Sequence, residues 1–364
     1  MLPELARNAV AVTLLGRKVA DPSAFGVVAE QIAWGSDESP PVPAAASEVA
    51  RVLEALRPDV VLLSNVFDIA VLRAVRAARR VIARIHDHRM FCPTGDRVYP
   101  QFRAICSQRM GTACLVNAVA HGCVAGVHPA TVRRLRAREE LRDAVREFDV
   151  ITVGSEFMAR SCANNGIDPQ RIAVIPPPID PRGLEPVSAP LPAERRILFA
   201  GRIVPDKGLR SLVRALAKIP APLRPALDVA GTPNAESAAA VALADRLGVA
   251  ITMLGRLSVA QMNAALDRVR AVAVPSLWPE PFGMVGIEAQ ARGRPAVAYA
   301  AGGIPEWVGN AGIAVPVGDE KALAAAIGQV IDDECWHAFA VAAREQAMTY
   351  TPETYVAKLL PLCF

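Results

Sequence analysis

The feature that most constrains this chain is a repeated alternation of short apolar runs with amphipathic segments. The runs 58–64, 81–86, 150–153 and 197–200 read as buried parallel strands, and so do 226–230, 251–254 and 271–274. A strand apolar on both faces needs cover on both faces, and helices between the strands supply it. Leu209, Leu212, Val213 and Leu216 show the spacing of one helical face. Strand then helix, repeated along the chain, predicts doubly wound α/β architecture.

The alternation is broken once, at 175–181, where four prolines lie close together. Neither a helix nor a central strand survives such a run. We expect a Rossmann-like domain over 1–180 and a second over 181–345. A final segment, 346–364, is expected to be a helix packing back on the first domain. The 364 residues suffice for two domains, and 52% hydrophobic residues give each a core. The formal charge of +4, from 40 basic and 36 acidic residues, is no nucleic-acid footprint. No apolar run is long enough to span a bilayer, and the N-terminus carries no signal pattern, so a cytoplasmic protein is expected. Arg-, Ala- and Pro-rich usage fits a GC-rich bacterial genome.

Two loops carry chemistry. Gly201-Arg202-Ile203-Val204-Pro205-Asp206-Lys207-Gly208 follows a strand and opens a helix. Gly201 permits close approach of the backbone to a ligand, while Arg202 and Lys207 offer a guanidinium fork and a compact ammonium to a diphosphate. As a bare motif it reads equally well as a surface loop with two solvated cations. The second loop, 275–283, leads from a strand into a helix and sets Glu280 and Glu288 with seven residues between them. Amides at Phe282, Gly283 and Met284 would face an incoming anion at the helix start. A carboxylate accepts two hydrogen bonds and so suits a pair of sugar hydroxyls.

Together these loops resemble the diphosphate loop and the E-x7-E signature of retaining GT-B glycosyltransferases, carbohydrate-active family 4. Gly302-Gly303-Ile304-Pro305-Glu306 is similar to that family's later glycine turn, and Gly154-Ser155-Glu156-Phe157-Met158 to its exit from an N-domain strand. The resemblance covers roughly residues 50–364. It implies two Rossmann-like domains facing across a cleft and transfer of a sugar from a nucleotide-diphosphate donor, UDP-linked before GDP-linked, to an unidentified hydroxyl. It further implies that Arg202, Lys207 and the amides near Phe282–Val285 hold the diphosphate. Glu288 would hold the ribose, Glu280 the donor sugar, and Leu254, Gly255, Arg256 and Leu257 would line the base. His86, at a strand end, matches the family's histidine that faces the donor sugar. No metal cofactor is implied, since Arg and Lys take its place.

The sequence departs from the family at its start. Residues 1–6 look like the end of the first helix and 10–15 like the following strand, so the first strand and its glycine loop are expected to be missing. A non-catalytic sugar-nucleotide-binding relative is the alternative that this favours. A GT-B epimerase would need further carboxylates, and a phosphorylase a pyridoxal lysine; neither can be assigned.

Between His86 and His128 lie Cys92, Cys106, Cys114 and Cys123, with His88 and His121. A structural zinc, a disulfide or inert thiols all fit; without a C-x-x-C pair the spacing is poor for metal. The arginine-rich stretch that begins at 133 reads as an exposed, salt-bridged helix face rather than a lipid-binding one.

Overall fold

A computed structural model describes every residue except 1, 17–27, 35–40, 100–103, 124–127 and 180–190. Asp180 and Pro181 of the proline-rich break therefore lie outside the described residues. The chain forms two compact units. One comprises Met1–Pro178 and Pro352–Phe364, the other Ile179–Thr351. The return to the first unit thus comes at Pro352, six positions after the expected 346.

The first unit contains strands β1 (Thr13–Gly16), β2 (Val28–Gln31), β3 (Val61–Ser64), β4 (Val81–Ile85), β5 (Val98–Tyr99), β6 (Ala104–Ile105), β7 (Val150–Val153) and β8 (Ile172–Val174). Its main sheet is parallel with order β3-β4-β7-β8, while β1 and β2 form a separate parallel ladder and β5–β6 an antiparallel one. The strand expected at 10–15 begins later, at Thr13. Val10 and Val12 instead pack beside Ile82, Val150 and Ile175 in an apolar cluster. The terminal helix Pro352–Leu359 completes that cluster with Tyr355, Val356 and Leu359. Tyr355 also lies under the Arg84 guanidinium, 5.2 Å from ring centroid to carbon, and Arg84 donates to the Ile175 carbonyl at 3.0 Å. The other face of the sheet is covered by a cluster built from Val49, Val52, Leu72, Leu141, Phe148 and Met158, among others.

The arginine-rich helix runs Pro129–Val145, and here the expectation of an exposed face needs correction. Arg138 and Arg142 are buried. Arg142 donates to the Met110 carbonyl at 3.1 Å, and Arg138 approaches the Phe67 ring. Long aliphatic stems allow such arginines to add apolar cover while the head finds a partner. Arg146 with Asp143, Arg76 with Glu147 and Arg73 with Glu140 keep to the expected surface pairing.

The second unit is a six-stranded parallel sheet made of β9 (Arg196–Ala200), β10 (Ala226–Ala230), β11 (Ile251–Gly255), β12 (Ala271–Val274), β13 (Ala296–Tyr299) and β14 (Gly312–Val315). Its order is β11-β10-β9-β12-β13-β14. The chain winds outward from β9 through β10 to β11, then returns to lay β12 on the other side of β9. That reversal creates a switch point, at which ligands bind beyond the carboxyl ends of the strands in open α/β sheets. Helices bury both faces: Leu209, Leu212, Leu216 and Ile327 on one, Leu266, Ile287, Trp307 and Tyr350 on the other.

Candidate functional site

The two strands that flank the switch point are the two whose following loops carry the motifs. Residues 201–208 leave β9, and 275–283 leave β12. Parallel pairing of Ala271 with Ile197 and Val272 with Leu198 holds the strands together and brings the loops out side by side. They then bond directly. Leu277 donates its amide to the Asp206 carbonyl at 2.7 Å, and Ser276 reaches the same carbonyl at 3.5 Å. Gly208 sits where they come closest, with φ of 74°, and a β-carbon there would stand 1.9 Å from the Pro275 carbonyl oxygen. Only glycine fits both the backbone angle and the gap.

This contact brings Lys207 onto Glu280. The ammonium forms an ion pair with Glu280 Oε1 and lies 5.1 Å from the centroid of the Trp278 ring. Glu280 is buried, with 6% of its surface exposed, so Lys207 is the charge that makes its burial tolerable. The backbone of Glu280 is pinned as well. Its carbonyl accepts from Gly303 at 2.7 Å, and it forms a parallel bridge with Gly302 in the turn that follows β13. Three successive loops at one end of the sheet therefore fix one carboxylate.

The helix Met284–Ala291 starts at Gly283, which has φ of 97° and supplies no side-chain cap. The first amides of a helix lack intrahelical partners, so the start at Met284 and Val285 has donor capacity and a positive dipole end for an anion. Its position is set from behind by Trp307, which is fully buried and donates to the Phe282 carbonyl at 2.5 Å. A β-carbon on Gly286 would stand 1.9 Å from the same ring, so the helix rests directly on the indole. Phe282 stacks edge-on against Tyr350 at 5.5 Å. Glu288 is one turn further along and exposed, yet protein crowding its carboxyl removes enough water to raise its pKa.

The remaining residues expected around a nucleotide lie at neighbouring strand ends. Gly201 donates to the Ala230 carbonyl at 2.9 Å, tying the β9 loop to the end of β10. The Arg202 side chain is exposed and makes no hydrogen bond or ion pair with another described residue, while its carbonyl accepts from the Val204 amide at 3.2 Å. Leu254 and Gly255 end β11, and the Gly255 carbonyl accepts from Gly231 at 2.9 Å. Leu257 is half-buried and Arg256 exposed. The structure thus gathers Lys207 and Glu280 into one contact, with Gly201, Arg202 and the helix start on the same sheet end.

His86 belongs to the first unit, immediately after β4. Its Nε2 lies 2.8 Å from Ser64 Oγ at the end of β3. Burial, then the neighbouring Arg84 charge, lowers its pKa from 6.5 to about 4, with Asp87 opposing and Arg89 reinforcing the shift. His86 is therefore neutral at physiological pH and able to accept or relay a hydrogen bond. Burial alone would raise the pKa of Asp87, but its hydrogen bonds and ion pair with Arg89 hold it below the ordinary carboxylate value. Leu63, Asn65, Phe67, Arg84, His86 and Asp87 line a cavity at this strand end.

Three contributors escape sequence reasoning. Trp278 lies within the 275–283 loop, where nothing in the local sequence marks it as a neighbour of Lys207. Ser64 reaches His86 from another strand, with no local signal. Trp307 acts from behind the helix through packing. His88, grouped by sequence with the Cys/His cluster, is instead buried edge-on against Phe157 at 5.8 Å.

A six-stranded parallel sheet with a phosphate-suited loop and an acid-bearing helix start at its switch point, joined to a second parallel α/β unit, defines a GT-B glycosyltransferase fold. Comparisons agree. The family "Glycosyltransferase Family 4" matches residues 1–182, and "Glycosyl transferases group 1" matches residues 186–350. The chain belongs to this glycosyltransferase family. It is similar to the D-inositol 3-phosphate glycosyltransferase of Mycobacterium marinum, 34% identical over 239 residues, covering 60% of this chain and 50% of that protein. The chain spans about half the length, or less, of the curated relatives it matches. Among solved structures, a glycosyltransferase from Rickettsia africae covers all of this chain with a TM-score of 0.73 at 15% identity, over 92% of its own chain. Anabaena HepE, in complex with UDP and glucose, covers 99% with a TM-score of 0.66 at 20% identity, over 94% of its own chain. Among the described residues no helix is long and apolar enough to cross a membrane.

Proposed function

We propose that this chain is a retaining glycosyltransferase that moves a hexosyl or N-acetylhexosaminyl group from a nucleotide-diphosphate donor to a hydroxyl acceptor. The observation that carries the reading is the Lys207–Glu280 pair, built where the β9 and β12 loops meet. A UDP-sugar is preferred over a GDP-sugar, and the UDP and glucose bound in the Anabaena relative support that order.

The Arg202 guanidinium is exposed and has no partner among the described residues, so it can close on the diphosphate without breaking a bond to any of them. Lys207 adds a second positive charge, and the amides of Gly283, Met284 and Val285 a dipole end. Glu288 accepts from the ribose hydroxyls. Glu280, held in place through its backbone, is left with an acceptor for the sugar hydroxyls once Lys207 turns toward phosphate. Leu254, Gly255, Arg256 and Leu257 border the base. In the reaction the acceptor oxygen forms a bond to the anomeric carbon as the bond to the β-phosphate oxygen breaks. The acceptor proton passes to the departing phosphate, and the nucleoside diphosphate leaves. Attack from the leaving-group face retains anomeric configuration. Positive charge at Arg202 and Lys207 stabilises the phosphate as it gains negative charge. Neutral His86 serves as a hydrogen-bond partner for the transferred sugar or its acceptor.

The test is calorimetric titration of the purified chain with UDP, GDP and ADP, followed by product analysis with UDP-sugars. Selective UDP binding, weakened at least tenfold in Arg202→Ala, is the expected result. Failure of all three nucleotides to bind would sink the assignment. Binding without turnover across a broad acceptor panel would instead favour the non-catalytic reading.

A further inference from the structure

The four cysteines that stand apart in the sequence converge in space. Cys92, Cys106, Cys114 and Cys123 all line one cavity of the first unit, together with Val98, Tyr99, Leu115 and Leu135. They come from four different places: the turn after His86, the end of the β5–β6 ladder, the start of the helix Ala113–Ala120, and the residues just beyond that helix. Chance placement of free thiols gives no reason for all four to face one space.

A second and independent observation concerns Arg97. It also lines the cavity, is 4% exposed, and its Nε and Nη1 are buried without a hydrogen-bond partner among the described residues. No ion pair reaches it from another described residue. A buried, unneutralised guanidinium is costly and requires an anion nearby. Four neutral thiols do not provide one. Four thiolates around a divalent ion do, because the assembly carries a net double negative charge.

The third observation is local. Cys92 opens a tight turn in which Gly95 donates to its carbonyl at 3.1 Å. The Arg97 amide donates to Cys92 Sγ at 3.4 Å, and Thr94 Oγ1 lies 3.2 Å from the same sulfur. The Arg97 amide aimed at sulfur favours the thiolate and orients it, as the outer partners of a metal ligand do.

We infer that Cys92, Cys106, Cys114 and Cys123 form a structural tetrathiolate site for zinc, with Arg97 as its buried counter-charge. Zinc suits four sulfurs in a closed tetrahedron, and the ligands here need not lie in C-x-x-C pairs because the fold gathers them. Among the described residues no three Cys, His, Asp or Glu side chains are grouped tightly enough to hold an ion as they stand. Ligation therefore draws the other three thiols inward onto the Cys92 turn. Such a site ties the segment that follows His86 to the helix Ala113–Ala120 and to Cys123. It is independent of the donor site in the second unit and of the activity proposed for it.

The test is metal analysis of the intact chain, purified without chelator, by plasma mass spectrometry, with thiol counting before and after denaturation. The expected result is close to one zinc per chain and four thiols that become reactive only when zinc is withdrawn. Cobalt exchange should give the thiolate charge-transfer absorption of a tetrahedral sulfur site. The pair of changes Cys92→Ser and Cys114→Ser should abolish stoichiometric zinc. Arg97→Met should lower zinc affinity about 10- to 100-fold in chelator competition. If the serine variants fail to fold, metal content and thiol protection of the unmodified chain decide. A metal-free chain with all four thiols reactive would overturn the inference. So would disulfide-linked peptides in a non-reducing digest, or zinc retained in full by the serine variants.

Discussion

At the scale of single residues, the site's behaviour rests on a charge pair and a neutral imidazole. Glu280 is more deeply buried than Lys207, so the two changes are not equivalent. Lys207→Met leaves a buried carboxylate uncompensated and should cost about 2 kcal/mol in urea unfolding, with weaker UDP binding. Glu280→Gln should cost less stability and more turnover. The double variant should be less destabilised than the sum of the two, because the pair is a single interaction; simple additivity would show that the contact does not couple them. His86 provides the pH signature. Its pKa is 6.5 when unfolded and about 4 when folded. Between those values the unfolded chain binds more protons, so this residue's contribution to stability rises with pH across that window and is lost as pH falls from 6.5 toward 4. NMR titration should find the His86 ring still neutral at pH values where a solvated histidine is charged. A midpoint near the ordinary value would remove the basis for reading it as a neutral hydrogen-bond partner.

At the scale of elements, loops and helix starts are set by what lies behind them. Gly208→Ala forces a β-carbon onto the Pro275 carbonyl in a left-handed backbone region. Strain and overpacking together should destabilise the second unit by about 3 kcal/mol and part the Lys207 loop from the Glu280 loop. Trp307→Phe removes the hydrogen bond to Phe282 and loosens the helix Met284–Ala291 on its support. It should weaken UDP binding although no indole atom is expected to touch nucleotide; unchanged affinity in calorimetry would show that the helix start is held some other way. Sequence reading was strong for these elements themselves. The strands at 150–153 and 271–274 have every position buried, and apolar character alone marks such segments. It was weaker at the arginine-rich helix. Which of its arginines are buried depends on Met110 and Phe67, residues supplied by other parts of the chain.

At the scale of the molecule, two units with separate cores allow binding to be distinguished from stability elsewhere. Saturation with UDP at about 100 times Kd should add about 2.7 kcal/mol to the second unit. Calorimetry should show its transition moving upward. Truncation after Thr351 acts on the other unit, because it removes Tyr355, Val356 and Leu359 from beside Ile82, Val150 and Ile175. Those three side chains, at roughly 1.5–3 kcal/mol each, amount to much of a typical domain's stability. The truncated chain should lose protease resistance in 43–178 while 191–351 stays protected; equal resistance in both would contradict the division of the core.

The sequence by itself determined the class of architecture, the identity of the two motif loops and the acids and cations they carry. Those features are local: strand burial, glycine positions and helix starts follow from neighbours a few residues away. Only the tertiary structure decided which of them meet. The winding order around β9 and β12 placed Lys207 on Glu280. Parallel register put Ser64 beside His86. Packing of the loops between β4 and β7 carried four spaced cysteines and a buried arginine to one cavity. Long-range pairing is paid for by burying the whole core, so its partners are chosen by the complete fold and leave little trace in any short stretch of sequence.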